Sequence, residues 1–392
     1  MEPLAITAMS AVNALGRGLA ASLEALRQGR SGLRQNDFDD AALRTWIGRV
    51  DGLEDEPVPR ALAEFDCRNN RLAHTALSED GFAAAVRRTR EKYGAHRVAV
   101  LIGTSTSGIL QTELAYRARD AAGRLPAWLN YRGTHNLFSV TDFVRRSLAL
   151  AGPAATLSTA CSSSAKVFAS ARRLFAAGLA DAAVVGGVDS LCLTTLYGFA
   201  SLELLSDERC APFDRARKGL SIGEAAGFAL LERGARGGVA LLGYGESSDA
   251  HHMSAPHPEG AGARRAMQAA LDAAGIEARA IDYINAHGTA TPANDRAEDG
   301  AIAELFGAAV PVSSTKGWTG HALGAAGITE AIFCCLCLEH GWLPGTLNTG
   351  TADPVLRSRI VLQSAPRRLS RVLSNSFGFG GSNCSLVFGA GE

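Results

Sequence analysis

The stretch LSTACSSSA at residues 157–165 follows an apolar run and leads into an Ala-rich helical pattern. SSTK at residues 313–316 repeats this arrangement in the second part of the chain. A second pair of segments is related in the same way: at residues 102–104 and at 286–289, an apolar run ends in Gly-Thr. A repeat on this scale predicts a duplicated fold whose functional site lies where two similar halves meet.

Short β-branched runs alternate with Ala- and Leu-rich helical patterns along the whole chain. The runs lie at residues 97–102, 181–185, 239–242, 281–284 and 310–312, and apolar strands close the halves at 227–231 and 384–388. This alternation predicts an α/β protein with mostly parallel sheets. The short Gly- and Arg-rich seam at 232–238 divides the chain into an N-terminal half, 1–234, and a C-terminal half, 235–392, fused into one body.

Composition excludes several classes of function. The 392 residues include 39 Lys+Arg and 39 Asp+Glu, so no overall field favours nucleic acid or an anionic membrane. The apolar run at 331–338 is well short of the ~18 residues of a membrane span, and no basic segment precedes an apolar one at the start. The eight cysteines show neither a disulfide framework nor zinc spacing, so we expect a cytoplasmic protein without a bound metal. Cys334, Cys335 and Cys337 lie close together and are expected to be reduced and packed on a buried helix.

Cys161, His287 and His321 are the candidate catalytic residues. Cys161 stands where a helix begins, and a helix N-terminus stabilises a thiolate and lowers a thiol pKa. Any of the three residues alone is more often structural. Together they lie on loops at predicted strand ends, with Lys316 five residues before His321, and this combination favours nucleophilic catalysis by a thiol.

Five motifs, in order along nearly the whole chain, resemble the Cys-His-His ketosynthases of the thiolase superfamily. They are TACSSSA (159–165), PFDRARKGLSIGEAAG (212–227), NAHGTATPANDRAE (285–298), SSTKGWTGHALGAAG (313–327) and NSFGFGGSN (375–383). The resemblance implies a thiolase fold with two similar halves in α-β-α-β-α layers. It also implies a β-ketoacyl-(acyl-carrier-protein) synthase, which joins an acyl primer and malonyl-carrier protein by decarboxylative Claisen condensation without a cofactor.

The same resemblance assigns roles within the site. Cys161 would carry the acyl group, and the backbone N–H groups of Cys161 and Phe379 would form the oxyanion hole. His287 and His321 would stabilise the enolate left by decarboxylation. Lys316, held by Glu298, would orient and tune the histidines.

Further positions match parts of the family that bind substrate. Thr289 and Thr291 match residues that contact the phosphopantetheine arm. Phe379 matches a gate over the cysteine, and Asp249 and His252 match the loop that moves with it. Arg68 and Arg71, on a predicted surface helix, are candidates for docking an acidic carrier protein; an ordinary solvated helix face explains them equally well.

Partner and pathway stay open at the level of sequence. The resemblance implies a homodimer, or a heterodimer with a chain-length-factor-like subunit, in which a strand such as 182–188 pairs across the two-fold axis. The segments at 104–107 and 68–71 resemble ketosynthases of aryl-polyene clusters, and a housekeeping fatty acid elongation enzyme is the alternative. A non-catalytic chain-length factor usually lacks the active cysteine, and a degradative thiolase needs a second one near the C-terminal end.

Overall fold

The structure is a computed structural model that describes residues 1–235 and 237–391. The strands are β1 (Leu4–Asn13), β2 (Gly16–Arg17), β3 (Arg34–Gln35), β4 (Trp46–Gly48), β5 (Val98–Gly103), β6 (Ala154–Leu157), β7 (Ala182–Asp189), β8 (Ile222–Gly223), β9 (Ala225–Glu232), β10 (Val239–Ser248), β11 (Tyr283–Asn285), β12 (Pro311–Ser313), β13 (Trp342–Leu343), β14 (Arg359–Ile360), β15 (Ala365–Pro366), β16 (Arg371–Gly378) and β17 (Ser382–Ala390). The α-helices are α1 (Gly18–Gln28), α2 (Arg68–Ser78), α3 (Phe82–Tyr93), α4 (Ile109–Arg117), α5 (Phe138–Ser147), α6 (Ser163–Ala176), α7 (Leu193–Ser201), α8 (Ala261–Ala274), α9 (Pro292–Phe306), α10 (Lys316–Thr319) and α11 (Ala326–His340).

The order of the strands confirms the predicted duplication. The main sheet runs β14-β12-β11-β16-β17-β10-β1-β9-β7-β5-β6. Toward the centre, the first half reads β6-β5-β7-β9-β1. The second half reads β12-β11-β16-β17-β10 after one additional edge strand, β14, so equivalent strands occupy equivalent places. The halves join where three residues of β1, Leu4 to Ile6, pair with the start of β10.

The sheet is mixed, and its parallel and antiparallel parts are segregated. Strands β5, β6 and β7 pair in parallel in the first half, and β11, β12, β14 and β16 do so in the second. The strands between them, from β7 through β9, β1, β10 and β17 to β16, pair antiparallel. The predicted parallel arrangement therefore applies to the outer strands, and these are the strands that lead into the corners of the site.

Two helices, α6 and α11, form the central layer of the molecule. Each contacts strands of both halves, α6 through β5, β7 and β17, and α11 through β9 and β16. Glycine makes the close approach possible, because a Cβ at Gly187 of β7 would lie 2.5 Å from the Cβ of Ser164 on α6. Helices α2, α3 and α5 cover the outer face of the first half, and α8 with α9 covers that of the second.

Helix α11 is apolar almost throughout. The stretch Leu323–His340 has a mean hydropathy of 1.4 and is long enough to cross a membrane, yet 83% of it is buried inside the fold. Cys334, Cys335 and Cys337 lie on its buried faces as free thiols, which confirms the prediction that they pack within a core helix. Packing against strands of both halves and against α6 explains the apolar composition of this helix.

The strand expected to pair across a two-fold axis, 182–188, is internal, because β7 is paired with β5 on one side and β9 on the other. That prediction is wrong, and the edge strand of the first half is β6, whose residues are partly exposed. The seam predicted at 232–238 connects β9 with β10, and Arg236 within it lies outside the described residues.

Candidate active site

The site lies at the carboxyl ends of parallel strands from both halves, where open α/β sheets bind ligands. Cys161 follows β6 and precedes α6, His287 follows β11, and Lys316 and His321 follow β12. Two corners contain a strained backbone, since Ala160, just before the cysteine, has φ 53° and Ala290, after His287, has φ 65°. Non-glycine residues adopt this left-handed region rarely, and sharp corners at functional sites are where they do so.

Cys161, His287, His321 and Lys316 converge in the interior. The Nε2 of His321 lies 2.9 Å from the Sγ of Cys161, and the two imidazole rings are 5.3 Å apart at 85°. The Nζ of Lys316 lies 3.3 Å from the Nδ1 of His287 and donates to its carbonyl oxygen. All four residues are buried, so the sequence-predicted group does come together.

Burial controls the protonation of this group. It lowers the pKa of His287 well below the usual range, with further contributions from Lys316 and His321. It lowers the pKa of His321 in the same way, helped by Lys316. Both imidazoles are therefore neutral near pH 7, and because Lys316 donates to Nδ1 of His287, the proton of that ring is on Nε2.

The thiol of Cys161 does not have the lowered pKa that its position at a helix start predicts. Burial raises its pKa to about 11, although the charge of Lys316 and the backbone N–H groups of Phe379 and Cys161 act in the opposite direction. The start of a helix is a local feature, whereas the desolvation comes from the whole fold. A neutral thiol beside a neutral imidazole therefore describes the resting site, with His321 placed to accept the thiol proton.

The partner predicted for Lys316 is wrong. Its ammonium group pairs with the carboxylate of Glu330 on α11. Glu298 instead accepts the backbone N–H groups of His287 and Gly288, at 2.7 and 2.8 Å, and the side-chain amide of Asn375. Glu298 therefore holds the peptide at the His287 corner, and Glu330 holds the lysine.

Sequence analysis missed Glu330, although a signal was present. It is the only acidic residue among residues 322–338, a mostly apolar stretch that both halves bury. A buried carboxylate needs a partner. Burial raises the pKa of Glu330 to about 7, while Lys316 lowers it.

A cavity of about 320 Å³ leads to the thiol. Thr289, Thr291, Phe379 and Asp249, the residues predicted to bind substrate, line this cavity together with apolar residues that sequence analysis did not single out. Among these are Phe199, Leu204 and Leu220. His252 does not line this cavity and is exposed, with its Nδ1 accepting the backbone N–H of Ser254.

The turn that carries Phe379 is tied to the neighbouring loop. Gly380 donates its N–H to Met253, and Asp249 donates its N–H to Gly381. The ring of Phe379 packs against that of Phe199, 5.6 Å between centroids. Gly378 is required where the turn passes the nucleophile, because a Cβ there would lie 2.7 Å from the carbonyl oxygen of Thr159.

The prediction that Arg68 lies on a surface helix face is wrong. Its side chain is 7% exposed and pairs with the fully buried Glu224 and with Glu54. Arg71 is more exposed, at 23%, but makes a two-pronged contact with Asp66 and donates to the carbonyl of Glu54. Glu54 and Glu224, which cover the first turn of α2, lie outside this helix in the sequence. The helical pattern alone therefore could not show that Arg68 is buried.

The ligand atoms of Cys161, His287 and His321 lie within 4.8 Å of one another, a set that zinc could accept. The Lys316 ammonium stands beside His287 and disfavours a second cation at this place. The geometry suits thiol chemistry, in which the imidazoles exchange protons and hydrogen bonds with an acyl substrate.

Comparisons with known proteins agree with this geometry. The N-terminal domain of β-ketoacyl synthases matches residues 1–236, and the C-terminal domain matches 239–350. The 3-oxoacyl-[acyl-carrier-protein] synthase 2 of Rhizobium meliloti (strain 1021) is 40% identical over 310 residues, 74% of this chain and 73% of the relative. The chain belongs to the β-ketoacyl synthase family, and its site is that of an acyl-transferring condensing enzyme.

Solved structures extend the similarity to almost the whole chain. The ketosynthase ApeO from Xenorhabdus doucetiae, solved in complex with its chain length factor ApeC, is 41% identical with a TM-score of 0.91, covering 99% of this chain and 98% of that one. The ishigamide ketosynthase/chain length factor is 30% identical with a TM-score of 0.88, covering 99% of each chain.

Proposed function

We propose that this protein is a β-ketoacyl-(acyl-carrier-protein) synthase that elongates an acyl primer held on Cys161 by decarboxylative condensation with malonyl-carrier protein. The observation that carries the proposal is the 2.9 Å contact between Cys161 Sγ and His321 Nε2, in a cavity shared with His287. The phosphopantetheine arm of the carrier brings each substrate, and Thr289 and Thr291 are its proposed contacts. No metal or other cofactor enters the chemistry.

The first step moves the acyl group onto Cys161. His321 accepts the thiol proton while sulfur attacks the carrier thioester, and the carrier thiol leaves with that proton. The N–H groups of Cys161 and Phe379 are the proposed donors to the tetrahedral oxyanion, since both reach the region of Sγ. The exchange is between two thioesters, so its rate depends on the positioning of thiol, base and N–H groups.

The second step makes the carbon–carbon bond. The malonyl thioester loses carbon dioxide, and the resulting enolate oxygen accepts hydrogen bonds from Nε2–H of His287 and from His321, whose ring proton stands on Nε2 in this step. Nε2–H of His287 suits this role because Lys316 occupies Nδ1. The enolate carbon attacks the acyl group and the Cys161 thiolate leaves. The thiolate then takes up a proton from solvent through His321, which restores the neutral thiol.

A gate follows from the turn at Phe379. In the structure its ring stands against Phe199 over the cavity, and the turn is hydrogen-bonded to the loop that carries Asp249. An acyl chain would displace the ring, and the Asp249 loop would move with it. Phe379→Ala should alter acylation kinetics and chain-length preference; unchanged values for both would contradict the gate.

The proposed partner is a second chain of the same fold, joined through the β6 edge. Edge strands offer unpaired backbone groups for exactly this kind of pairing. Two apolar side chains at the start of α5, the helix packed against β6, are exposed, Leu137 and Phe138, both at 41%. The two structural relatives named with a chain length factor support a heterodimer of this kind.

We propose that the acidic carrier docks on the surface near Arg71. Arg68 is no longer a candidate, because its side chain is buried and paired. Arg296, exposed two residues after the cavity-lining Asn294, is a second candidate. Charge reversal at Arg71 and Arg296 should raise KM for carrier-bound substrate and spare small thioester mimics. Equal loss on both substrates would refute the docking role.

Eight free cysteines suit a reducing compartment, so we propose a cytoplasmic location.

A non-catalytic chain-length factor is the alternative role, and an intact group of Cys161, His287, His321 and Lys316 argues against it. The deciding experiment follows the intact mass of the carrier protein with saturated and conjugated polyenoyl primers side by side. Extension of the conjugated primer would place the enzyme in polyene biosynthesis, and preference for the saturated primer would indicate fatty acid elongation. Extension of neither primer, with or without a chain-length-factor partner, would overturn the proposal.

A further inference from the structure

A buried carboxylate outside the group of catalytic residues connects the two halves beneath the site. Asp189 ends β7 and is fully buried. Its Oδ1 accepts the hydroxyls of Thr104 and Thr106, at 2.7 and 2.8 Å, and the backbone N–H groups of Ser105 and Thr106, both at 2.8 Å. Its Oδ2 accepts the N–H of Gly324 at 2.6 Å. A buried carboxylate with this many donors is held in one place.

Each group bound to Asp189 leads to one side of the Cys161–His321 contact. On the first-half side, the Oγ of Ser105 lies 3.3 Å from the carbonyl oxygen of Ala160, the strained residue before Cys161. On the second-half side, Gly324 is three residues after His321, and Leu323 between them has φ 51°. One carboxylate therefore connects the nucleophile corner of one half with the histidine loop of the other.

The loop of His321 has its other attachment on β8. The N–H of His321 donates to Ser221 at 2.7 Å, and its carbonyl accepts the N–H of Gly223 at 3.0 Å. Its ring receives less support, because Nδ1 has no hydrogen-bond partner among the described residues. The ring position thus depends on the backbone, which is fixed at residue 321 by β8 and at residue 324 by Asp189.

Relying on the function proposed above, we propose that Asp189 is a positioning residue that sets the distance between Cys161 Sγ and His321 Nε2 across the two halves. His287 does not depend on it, since Lys316 and Glu298, both of the second half, hold that residue. The proposal assigns Asp189 to the acylation step, which needs thiol and base at hydrogen-bond distance.

Asp189→Asn provides the first test, because the amide has the size of the carboxylate but replaces an acceptor with a donor. Asp299→Asn is the matched control: Asp299 is also buried and accepts two backbone N–H groups, of Arg357 and Ser358, at the far edge of the sheet. Both variants should lower the thermal midpoint. Only Asp189→Asn should slow acylation of Cys161 per folded molecule, by about 10- to 100-fold, with KM for the acyl donor unchanged.

Gly324→Ala tests the same contact from the other side and keeps the charge. A Cβ there would lie 2.7 Å from Oδ2 of Asp189, so the alanine should displace the loop and slow acylation too. If Asp189→Asn does not fold, Gly324→Ala and Ser105→Ala carry the test. Wild-type acylation rates in the folded variants would overturn the proposal. It would also be overturned if only Asp189→Asn acylated more slowly and a shift in the thiol pKa accounted for the whole change in rate.

Alkylation of Cys161 by iodoacetamide separates this inference from the proposed function. The reaction needs no acyl substrate, so it reports on the thiol and its base even if the wild-type protein condenses neither primer. Slower alkylation in Asp189→Asn and Gly324→Ala, but not in Asp299→Asn, would support the positioning role independently. Equal alkylation rates in all three variants would count against it.

Discussion

The two halves of this protein share a strand order but use equivalent corners differently. After β6 the first half places Cys161, and after the equivalent β12 the second half places Lys316 and His321. After β5 the first half binds the carboxylate of Asp189 with its backbone, and after β11 the second half binds that of Glu298. Equivalent turns of the two halves therefore both bind a buried carboxylate through backbone N–H groups, although the carboxylates come from different elements, β7 and α9. The side chains at the neighbouring corners divide into a nucleophile in the first half and proton-handling groups in the second.

The largest expected effect tests this division of labour. Cys161→Ala should reduce condensation by about 10⁴-fold or more, because the covalent intermediate cannot form. It should retain decarboxylation of a malonyl thioester, which depends on the second half. His287→Ala should show the reverse pattern, with acylation kept and decarboxylation lost, as measured by carbon dioxide release and by intact protein mass. Loss of both steps in each variant would show that the halves do not act separately.

A second prediction compares a buried ion pair with a partly exposed one, both in the first half. Arg68→Ala should lower the free energy of unfolding by about 3–5 kcal/mol, because it leaves Glu224 buried without its partner. Arg71→Ala, at a partly exposed pair, should cost no more than about 1 kcal/mol. Urea denaturation of both variants makes the comparison. Similar losses for the two arginines would contradict the buried role of Arg68.

The ion pair of the second half should affect the chemistry more than the fold. Glu330→Gln leaves the ammonium of Lys316 without a charged partner and loosens its contact with His287, so we expect kcat to fall by about 100-fold with little change in KM. Glu339→Gln, on the exposed end of the same helix, is the control and should leave kcat unchanged. A change in KM alone would assign Glu330 to substrate binding instead.

The smallest effect concerns pH and sharpens the description of the first half. Because the pKa of Cys161 is raised to about 11, its thiolate fraction should increase about tenfold for each pH unit well below that value. The rate of alkylation by iodoacetamide, followed on the peptide that contains Cys161, should therefore still rise steeply between pH 8 and pH 9. A free thiol, with a pKa of about 8.5, begins to level off in that interval. Early levelling in this protein would show that the helix N-terminus outweighs burial.

Sequence patterns predicted those features that depend on local residues. The duplication, the corners carrying Cys161, His287 and His321, and the buried helix with its cysteines all follow from motifs and periodicity. The errors concern relations between distant segments. The family resemblance assigns Glu298 as the partner of Lys316, but the lysine reaches Glu330 on a helix that only the folded core places beside it.

Arg68 and strand β7 illustrate the same limit. A helical pattern shows which residues share a face, but it cannot show that Glu54 and Glu224 cover the first turn of α2. A strand pattern shows that 182–188 is extended, but the order of strands decides that β6 takes the edge. The thiol pKa of Cys161 belongs with these cases, since burial is a property of the complete fold.

The apolar helix α11 has a consequence for how the chain is synthesised. Its cover from the first half, β9, precedes it in the chain, whereas β16 and β17 follow it. During translation, a segment with the length and hydropathy of a membrane span therefore leaves the ribosome before part of its final surroundings exists. Such exposed apolar surface favours aggregation. The helix that supports the catalytic lysine is thus also a part of the nascent chain that must be kept from aggregating until the last strands are made.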